Sequence, residues 1–422
     1  MNSSLSRSDN SISAEARLAC TALRVALNRG GPERLRSRLE ADLDPERVAR
    51  FCVYHGIVPS VHRALQTVAD HPSVAPLQQA LMPSVQACAA TGLHKAQVLE
   101  NVLREFAEAG IEVIPLKGTG LDVRFYDGPG RRKDGDHDLL VRPAQLSDAV
   151  RVLAEMGFQS FASEAPPPAQ WPEEFNKHHG PPLVLPAETG PNVPVELHWM
   201  LSPSTSRFPL CDPEALTDAL WDRSRSGTLL GAPVRWPTPE DEALVLFLHA
   251  VRHLTYGPAG LYLRLAMLED CARFMAEASP LDEEELRERA RRVGPIHVLG
   301  PLRVVWRHVL GPLPEWLEPR EEDSEWPPKW GRSLLSIPHL LGDDHTAHEQ
   351  NGRPHIQKLR GALVSLLLLR RPADRGRVFR KFFRHSLKPN AEDYATIDLP
   401  SSLHGLYYPI RFARLGWALW QQ

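Results

Sequence analysis

The segment 136–141, with the sequence D-H-D-L-L-V, constrains the fold most, because alternating acids run directly into three apolar residues. The apolar run is typical of a buried strand. Residues two apart in a strand point to one face, so Asp134, Asp136 and Asp138 would share a face. Carboxylates this close repel one another unless a cation lies among them. The pattern therefore predicts a divalent-metal site, with a solvated acidic edge as the alternative.

Several familiar motifs do not explain this segment. A calcium loop that started at Asp134 would need glycine at its sixth position and glutamate at its twelfth, where Leu139 and Gln145 stand. The segment 118–120 lacks the third glycine of a dinucleotide fingerprint, and no Walker-type phosphate loop is present. The five cysteines are scattered, which indicates reduced thiols in a cytoplasmic protein and gives no zinc signature.

A short strand gives way to a helical segment at Lys117, Gly118 and Thr119. Backbone N–H groups at a helix start can hold phosphate, and glycine allows close approach. We therefore predict that these three residues contact a polyphosphate. Arg132, four residues before Asp136, is a further phosphate candidate, and Arg131 competes with it.

A later strand-like segment carries a third acid, Glu196, with His198 two residues further along. On a neighbouring strand, Glu196 would complete a three-carboxylate cluster and His198 would share its face. A surface strand residue is the alternative interpretation of Glu196 alone.

The hydrophobic periodicity changes from helical to strand-like at Gly110 and becomes helical again after Thr238. Gly56 and Pro59 predict a break within the N-terminal helical pattern. Thr238-Pro239 followed by acids predicts a helix start there. The fold class expected is α+β, with an α/β core and a mixed sheet between helical regions. The expected units are a disordered tip (1–13), an N-terminal helical region (14–109), the nucleotide-binding-type α/β core (110–236), a helical domain (237–310), a connector rich in Pro, Trp and acids (311–352) and a basic C-terminal helical region (353–422).

These features together resemble the uncharacterised bacterial nucleotidyltransferase family of the polymerase-β-like superfamily. The motifs that carry the resemblance are the following: L-K-G at 116–118, Tyr126, Arg132, D-H-D-L-L-V at 136–141, E-L-H-W at 196–199, the helical segment 249–253 with Arg264 and Asp270, and the segment 54–59. The resemblance implies a polymerase-β-like core and two-metal phosphoryl transfer.

Within that resemblance, Asp136, Asp138 and Glu196 would be the catalytic metal ligands for two Mg²⁺ ions, with Mn²⁺ as an alternative. Glu196 would also take the proton from the acceptor. The donor would be a nucleoside triphosphate such as ATP, and the acceptor a hydroxyl or amine of a small molecule or peptide. Besides residues 117–119 and Arg132, the residues expected to bind the nucleotide are His198 and His249.

The sequence contains two histidine pairs whose roles the motifs above do not decide. His249 and His253 lie four apart on one helical face, but a third ligand for zinc is missing. A helix face that closes over the nucleotide and plain core packing are the competing interpretations. His178 and His179 precede the later strands and could contact substrate, but a solvated loop pair is the favoured interpretation.

The net charge of −3 argues against a general nucleic-acid binder. The basic segment 353–422 nevertheless leaves an acidic partner such as RNA open, and with it an RNA-modifying or toxin-like transferase. A transferase that uses a nucleotide-sugar donor and a non-catalytic binding protein are also compatible with the sequence. The longest apolar run is too short to span a bilayer, so no transmembrane segment is expected. Composition suits a bacterial protein.

Overall fold

A computed structural model describes residues 12–133, 135–160, 167–174, 178–187, 191–201, 213–256, 263–278, 280–293, 299–320, 399–411 and 414. Asp134 lies outside the described residues, as do residues 321–398. The predictions for Asp134, for most of the connector and for most of the basic segment therefore lie outside the described part.

The N-terminal region consists of helices α1 (Ala14–Ala26), α2 (Pro32–Leu39), α3 (Pro45–His55), α4 (Val58–Gln66) and α5 (Val74–Glu108). Asp44 caps α3, since its Oδ1 accepts the Glu46 N–H at 2.9 Å. Gly56 ends α3 with φ of +72°, a conformation that glycine adopts without strain. The predicted break between α3 and α4 is confirmed.

The core contains β1 (Val113–Pro115), α6 (Thr119–Phe125), β2 (His137–Val141), α7 (Leu146–Glu155), β3 (Gln159–Ser160), α8 (Trp171–Glu174), β4 (Leu183–Leu185) and β5 (Val193–His198). The sheet order is β1-β2-β5-β4-β3. The β2–β5 pair is parallel and the other pairs are antiparallel, so the sheet is mixed as expected. Asp136 precedes β2, because the strand begins at His137.

Both faces of β2 are covered, which explains its uninterrupted apolar sequence. Leu139 and Val141 pack in a cluster with residues of α5 and α7. Leu140, on the other face, packs with Leu220 and Trp221 of helix α9 (Pro213–Arg223). Asp138 shares the face of Leu140, so the acid lies on the side that α9 covers.

A hairpin that the sequence pattern did not predict follows α9. Strands β6 (Arg225–Leu229) and β7 (Ala232–Trp236) pair in antiparallel fashion. Leu230 and Gly231 form the two-residue turn, both with positive φ. Leucine replaces the asparagine or aspartate that usually marks such a turn, so the local signal is weak.

The chain continues with α10 (Pro239–Tyr256), α11 (Leu265–Glu277), α12 (Glu283–Val293) and α13 (Gly300–Val309). As predicted, Thr238 caps α10: its Oγ1 accepts the Asp241 N–H at 3.4 Å. One apolar cluster joins these helices to α1–α4 and the start of α5, so regions distant in sequence share a core. Among the described helices, none combines the length and apolar character needed to cross a bilayer.

Candidate functional site

The parallel pairing of β2 with β5 brings two predicted acids together. Asp138 and Glu196 are direct Cα partners across this pair, so their side chains emerge on the same face. The Asp138 side chain is 1% exposed and that of Glu196 19%. The expected third carboxylate therefore lies beside the D-x-D strand.

His198 lies behind these acids and contacts both. Its Nε2 is 2.8 Å from Asp138 Oδ1 and 3.7 Å from Glu196 Oε2. A carboxylate oxygen only accepts, so Nε2 carries the proton and donates to Asp138. His198 is 4% exposed. We infer that it orients the Asp138 carboxylate.

Lys117 supplies the positive charge that two neighbouring acids require. Its Nζ is 2.8 Å from Asp138 Oδ2. Burial alone would raise the pKa of Asp138, but Lys117 and His198 outweigh it and hold that pKa well below the ordinary range. Burial would likewise lower the pKa of Lys117, but Asp138 and then Asp136 raise it above its ordinary value. Both groups are therefore charged at neutral pH.

The donor atoms suit a divalent cation. Within the described part of the chain, Asp138, Glu196 and His198 form a group whose possible ligand atoms lie within 4.8 Å of one another. Carboxylate oxygens are the ligands that Mg²⁺ and Mn²⁺ prefer. Asp136 lies two residues from Asp138 and lines the same cavity.

A cavity of about 520 Å³ opens beside the acids. It is bounded by the core, by the α3–α4 turn at Gly56, and by α10 and α11. All but two of the predicted site residues line it, namely Lys117, Gly118, Arg132, Asp136, Asp138, Glu196 and His249. Further basic residues of its wall are Lys133, Arg252 and Arg264. The cavity thus combines acids with several cations.

Thr119 and His198 are the two predicted residues that do not line the cavity. Thr119 is 3% exposed, and its Oγ1 lies 3.5 Å from His137 Nδ1. His137 in turn has its Nε2 3.1 Å from the Lys95 carbonyl of α5. The Thr119 side chain therefore contacts β2 and its surroundings, while its neighbour Gly118 faces the cavity with φ of +71°.

Arg132 lines the cavity but makes a paired contact with the helical region. Its Nε and Nη2 donate to the two oxygens of Asp270, each at 2.7 Å. The Tyr126 hydroxyl donates to Asp270 Oδ1 at 2.6 Å. The contact is bidentate, so Nε and Nη2 of the Arg132 guanidinium are already engaged by the Asp270 carboxylate.

The expectation that His178 and His179 form a solvated pair is wrong. His178 is 6% exposed, and its ring lies 5.3 Å from that of His198. His179 lines the cavity, with Nδ1 3.7 Å from Glu196 Oε2. Their segment pairs with the end of β5 through an isolated bridge from His179 to His198. This long-range pairing has no local sequence signal beyond the two histidines themselves.

Helix α10 brings neutral histidines to the same cavity. The His249 and His253 rings are 4.5 Å apart, and both side chains line the wall. Burial, with the nearby Lys117 and Arg252 charges, lowers the pKa of His249 well below its ordinary value. Burial also lowers the pKa of His253, to about 3. The shared face predicted for this pair is therefore turned toward the acids and cations of the cavity.

Comparison with known proteins agrees with this geometry. Searches of curated proteins and of solved structures gave no significant match. The profile described as "uncharacterised nucleotidyltransferase" matches residues 41–311, which include the core, the cavity and most of the flanking helices. Because this match covers more than half of the chain, the protein belongs to the uncharacterised nucleotidyltransferase family.

Proposed function

We propose that the protein transfers a nucleoside monophosphate from a nucleoside triphosphate to a hydroxyl or amine of a small molecule or peptide. Membership of the nucleotidyltransferase family supports a general role in nucleotidyl transfer. The observation that carries the finer proposal is the pairing of Asp138 with Glu196 on one face of the sheet, with Lys117 on Asp138. Such a cluster at a cavity wall suits a metal-bound triphosphate.

Asp136, Asp138 and Glu196 would hold two Mg²⁺ ions, or Mn²⁺ in their place. Such ions, when bound, neutralise the triphosphate and stabilise the attacking and leaving oxygens during in-line displacement. The clustered acids support this assignment, because their mutual repulsion is relieved by divalent cations. His198 would keep Asp138 in a fixed orientation through the 2.8 Å bond.

Residues of the cavity would position the substrates and remove the acceptor proton. Lys117 and the backbone of Gly118 and Thr119 would position the phosphates. Glu196 would take the proton from the acceptor hydroxyl or amine. A bond then forms between the acceptor atom and the α-phosphorus, the bond from that phosphorus to the β-phosphate oxygen breaks, and pyrophosphate leaves. His249 would contact the nucleoside from the helical wall.

Labelled donors test this proposal directly. With Mg²⁺ or Mn²⁺ and a panel of hydroxyl compounds, peptides and tRNA, an NTP labelled at the α-phosphorus should label an acceptor, and an NTP labelled at the γ-phosphorus should give labelled pyrophosphate. Label on tRNA would favour an RNA-modifying enzyme, and transfer from a labelled nucleotide sugar would favour a sugar donor.

The variants Asp138→Asn and Glu196→Gln preserve side-chain shape and should each reduce transfer by at least about 100-fold, the size of effect expected when charge stabilisation is lost. Asp148→Asn, an acid on α7 whose side chain is 62% exposed, is the matched control and should retain full transfer. Transfer that persists in both site variants would contradict the metal-site assignment.

A further inference from the structure

Arg252 is a cation of the cavity that the sequence motifs did not assign. It lies on α10 between His249 and His253, and it lines the cavity with Asp138 and Glu196. Burial lowers the pKa of its guanidinium, while Asp138 and Glu196 oppose that shift. An arginine keeps its charge under such conditions, because its ordinary pKa exceeds 12. Helix α10 thus places a positive charge in the cavity wall, near Asp138 and Glu196.

His178 holds this guanidinium from a different part of the chain. Arg252 Nη1 donates to His178 Nε2. The His178 carbonyl accepts the backbone N–H of Trp199 at 3.1 Å and of Met200 at 3.3 Å, which fixes His178 to the end of β5. Arg252 is therefore tied to the strand that carries Glu196.

Arg252 and Arg132 differ in the chemistry of the side chain that holds them. The Asp270 carboxylate neutralises Arg132 and occupies its fork. Burial, followed by the Arg252 charge, holds the pKa of His178 well below its ordinary value, so the imidazole is neutral. The neutral imidazole orients Arg252 through one nitrogen and, unlike the Asp270 carboxylate at Arg132, adds no negative charge of its own. The geometry of a held, charged guanidinium suits phosphate oxygens.

We propose that Arg252 binds the polyphosphate chain of the donor and that His178 is the residue that positions it. This inference rests on the proposed function, because it presumes a nucleoside triphosphate in the cavity. It adds a phosphate-binding residue from α10 to those of the core. The chemistry recognised is a chain of two or three phosphates, as in the donor and in the released pyrophosphate.

The test measures binding of inorganic tripolyphosphate and of a non-hydrolysable NTP by calorimetry in the presence of Mg²⁺. Arg252→Met should weaken both affinities by about 10- to 100-fold, the equivalent of one charge-assisted hydrogen bond. Arg252→Lys keeps the charge without the fork and should fall between Arg252→Met and the wild type. Arg63→Met, at an exposed ion pair with Asp127, is the control and should bind as the wild type does.

His178→Phe keeps a ring and removes the acceptor nitrogen, so it should weaken tripolyphosphate binding by about 3- to 10-fold. Combined with Arg252→Met it should cause no further loss, whereas a purely structural role would give additive losses. Wild-type affinity in Arg252→Met would overturn the inference. If Arg252→Met does not fold, wild-type affinity in both Arg252→Lys and His178→Phe would overturn it. A wild-type protein that binds neither ligand would instead refute the proposed function.

Discussion

The Nζ of Lys117 and Oδ2 of Asp138 lie 2.8 Å apart in the interior of the site, where Lys117 stands between β1 and α6 and Asp138 is the second residue of β2. Asp138 is the acid that faces Glu196 across the parallel strands. The same carboxylate binds the lysine and would also be a ligand of the proposed divalent cation. On the proposed function, Lys117 should therefore have two opposing effects, one on metal binding and one on nucleotide binding.

Lys117→Met should tighten the binding of Mn²⁺ alone and weaken the binding of nucleoside triphosphate. Removal of the ammonium frees Asp138 Oδ2 and eliminates a repulsive positive charge, so we expect at least about threefold tighter Mn²⁺ binding. The same change removes the proposed phosphate contact of Lys117, so NTP affinity should fall by about tenfold or more. Titration of the free Mn²⁺ signal by electron paramagnetic resonance gives the first quantity, and calorimetry the second.

Lys133→Met is the matched control for Lys117. Lys133 lines the same cavity, but its Nζ donates to the Val53 carbonyl at 3.0 Å. The Lys133→Met substitution should leave the affinity for Mn²⁺, measured without nucleotide, unchanged. Equal Mn²⁺ affinity in Lys117→Met and the wild type would show that the ammonium does not compete for Asp138.

Breaking the contact between Arg132 and Asp270 should destabilise the fold. The two side chains are 11% and 6% exposed, so the pair is buried. Asp270→Asn leaves a buried guanidinium without its charge partner, which costs about 3–5 kcal/mol in the free energy of unfolding. Tyr126→Phe removes one bond to the same carboxylate and should cost about 1.5–3 kcal/mol. Urea denaturation measures both.

A double-mutant cycle isolates the pair. Arg132→Met combined with Asp270→Asn should cost much less than the sum of the single changes, because the double variant has no unpaired buried charge. Additive costs would show that the two residues do not act together. The pair links the segment before β2, which carries Asp136, to α11.

The parts of the fold with local signals were predictable from the sequence. The D-H-D-L-L-V segment indicated a buried strand, Gly56 indicated a helix end, and Thr238 indicated a helix start. Each depends on residues within a few positions of one another, through periodicity, backbone freedom or capping. The alternation of strand and helix patterns indicated an α/β core.

Contacts between distant segments were not predictable in this way. Arg132 and Asp270 are 138 residues apart, and His178 and Arg252 are 74 apart. From the sequence alone, an arginine could equally contact a phosphate and a histidine pair could equally lie in a solvated loop. Their actual partners depend on how α10 and α11 pack against the core. For the same reason, the sequence alone assigns no role to Arg252, which lies between His249 and His253.

Helix α5 passes the segment before β2 at unusually close range, and this contact should not tolerate a side chain at Gly92. A Cβ on Gly92 would lie 2.3 Å from the backbone of Gly130. Gly92→Ala should therefore lower the free energy of unfolding by about 2 kcal/mol or more, as overpacking does when backbone must move. Gly31→Ala, where a Cβ meets nothing within 4 Å, is the control and should change stability by less than about 1 kcal/mol. Similar unfolding midpoints for the two variants would contradict the close approach.

The contribution of Glu242 on α10 to the stability of the fold should depend on pH. Its side chain is 4% exposed and accepts a bond from Arg124 Nη1 at 2.7 Å. Burial raises the pKa of Glu242 above its ordinary value even though Arg124 acts in the opposite direction. In the unfolded chain a glutamate titrates near pH ~4.3. Between that pH and the raised pKa, the folded protein binds more protons than the unfolded chain.

The stability that Glu242 contributes is thus fully present below about pH 4.3 and is lost as the pH rises through its folded pKa. Glu242→Gln mimics the protonated form and cannot lose a proton. Its free energy of unfolding, relative to the wild type, should therefore increase from about pH 4.5 to 7, by about 1.4 kcal/mol for each unit by which burial raises the pKa. Urea unfolding at a series of pH values measures the difference, and Glu155→Gln at an exposed pair with Arg151 controls for loss of charge. A difference that stays constant or decreases with pH would mean that Arg124, rather than burial, dominates at Glu242.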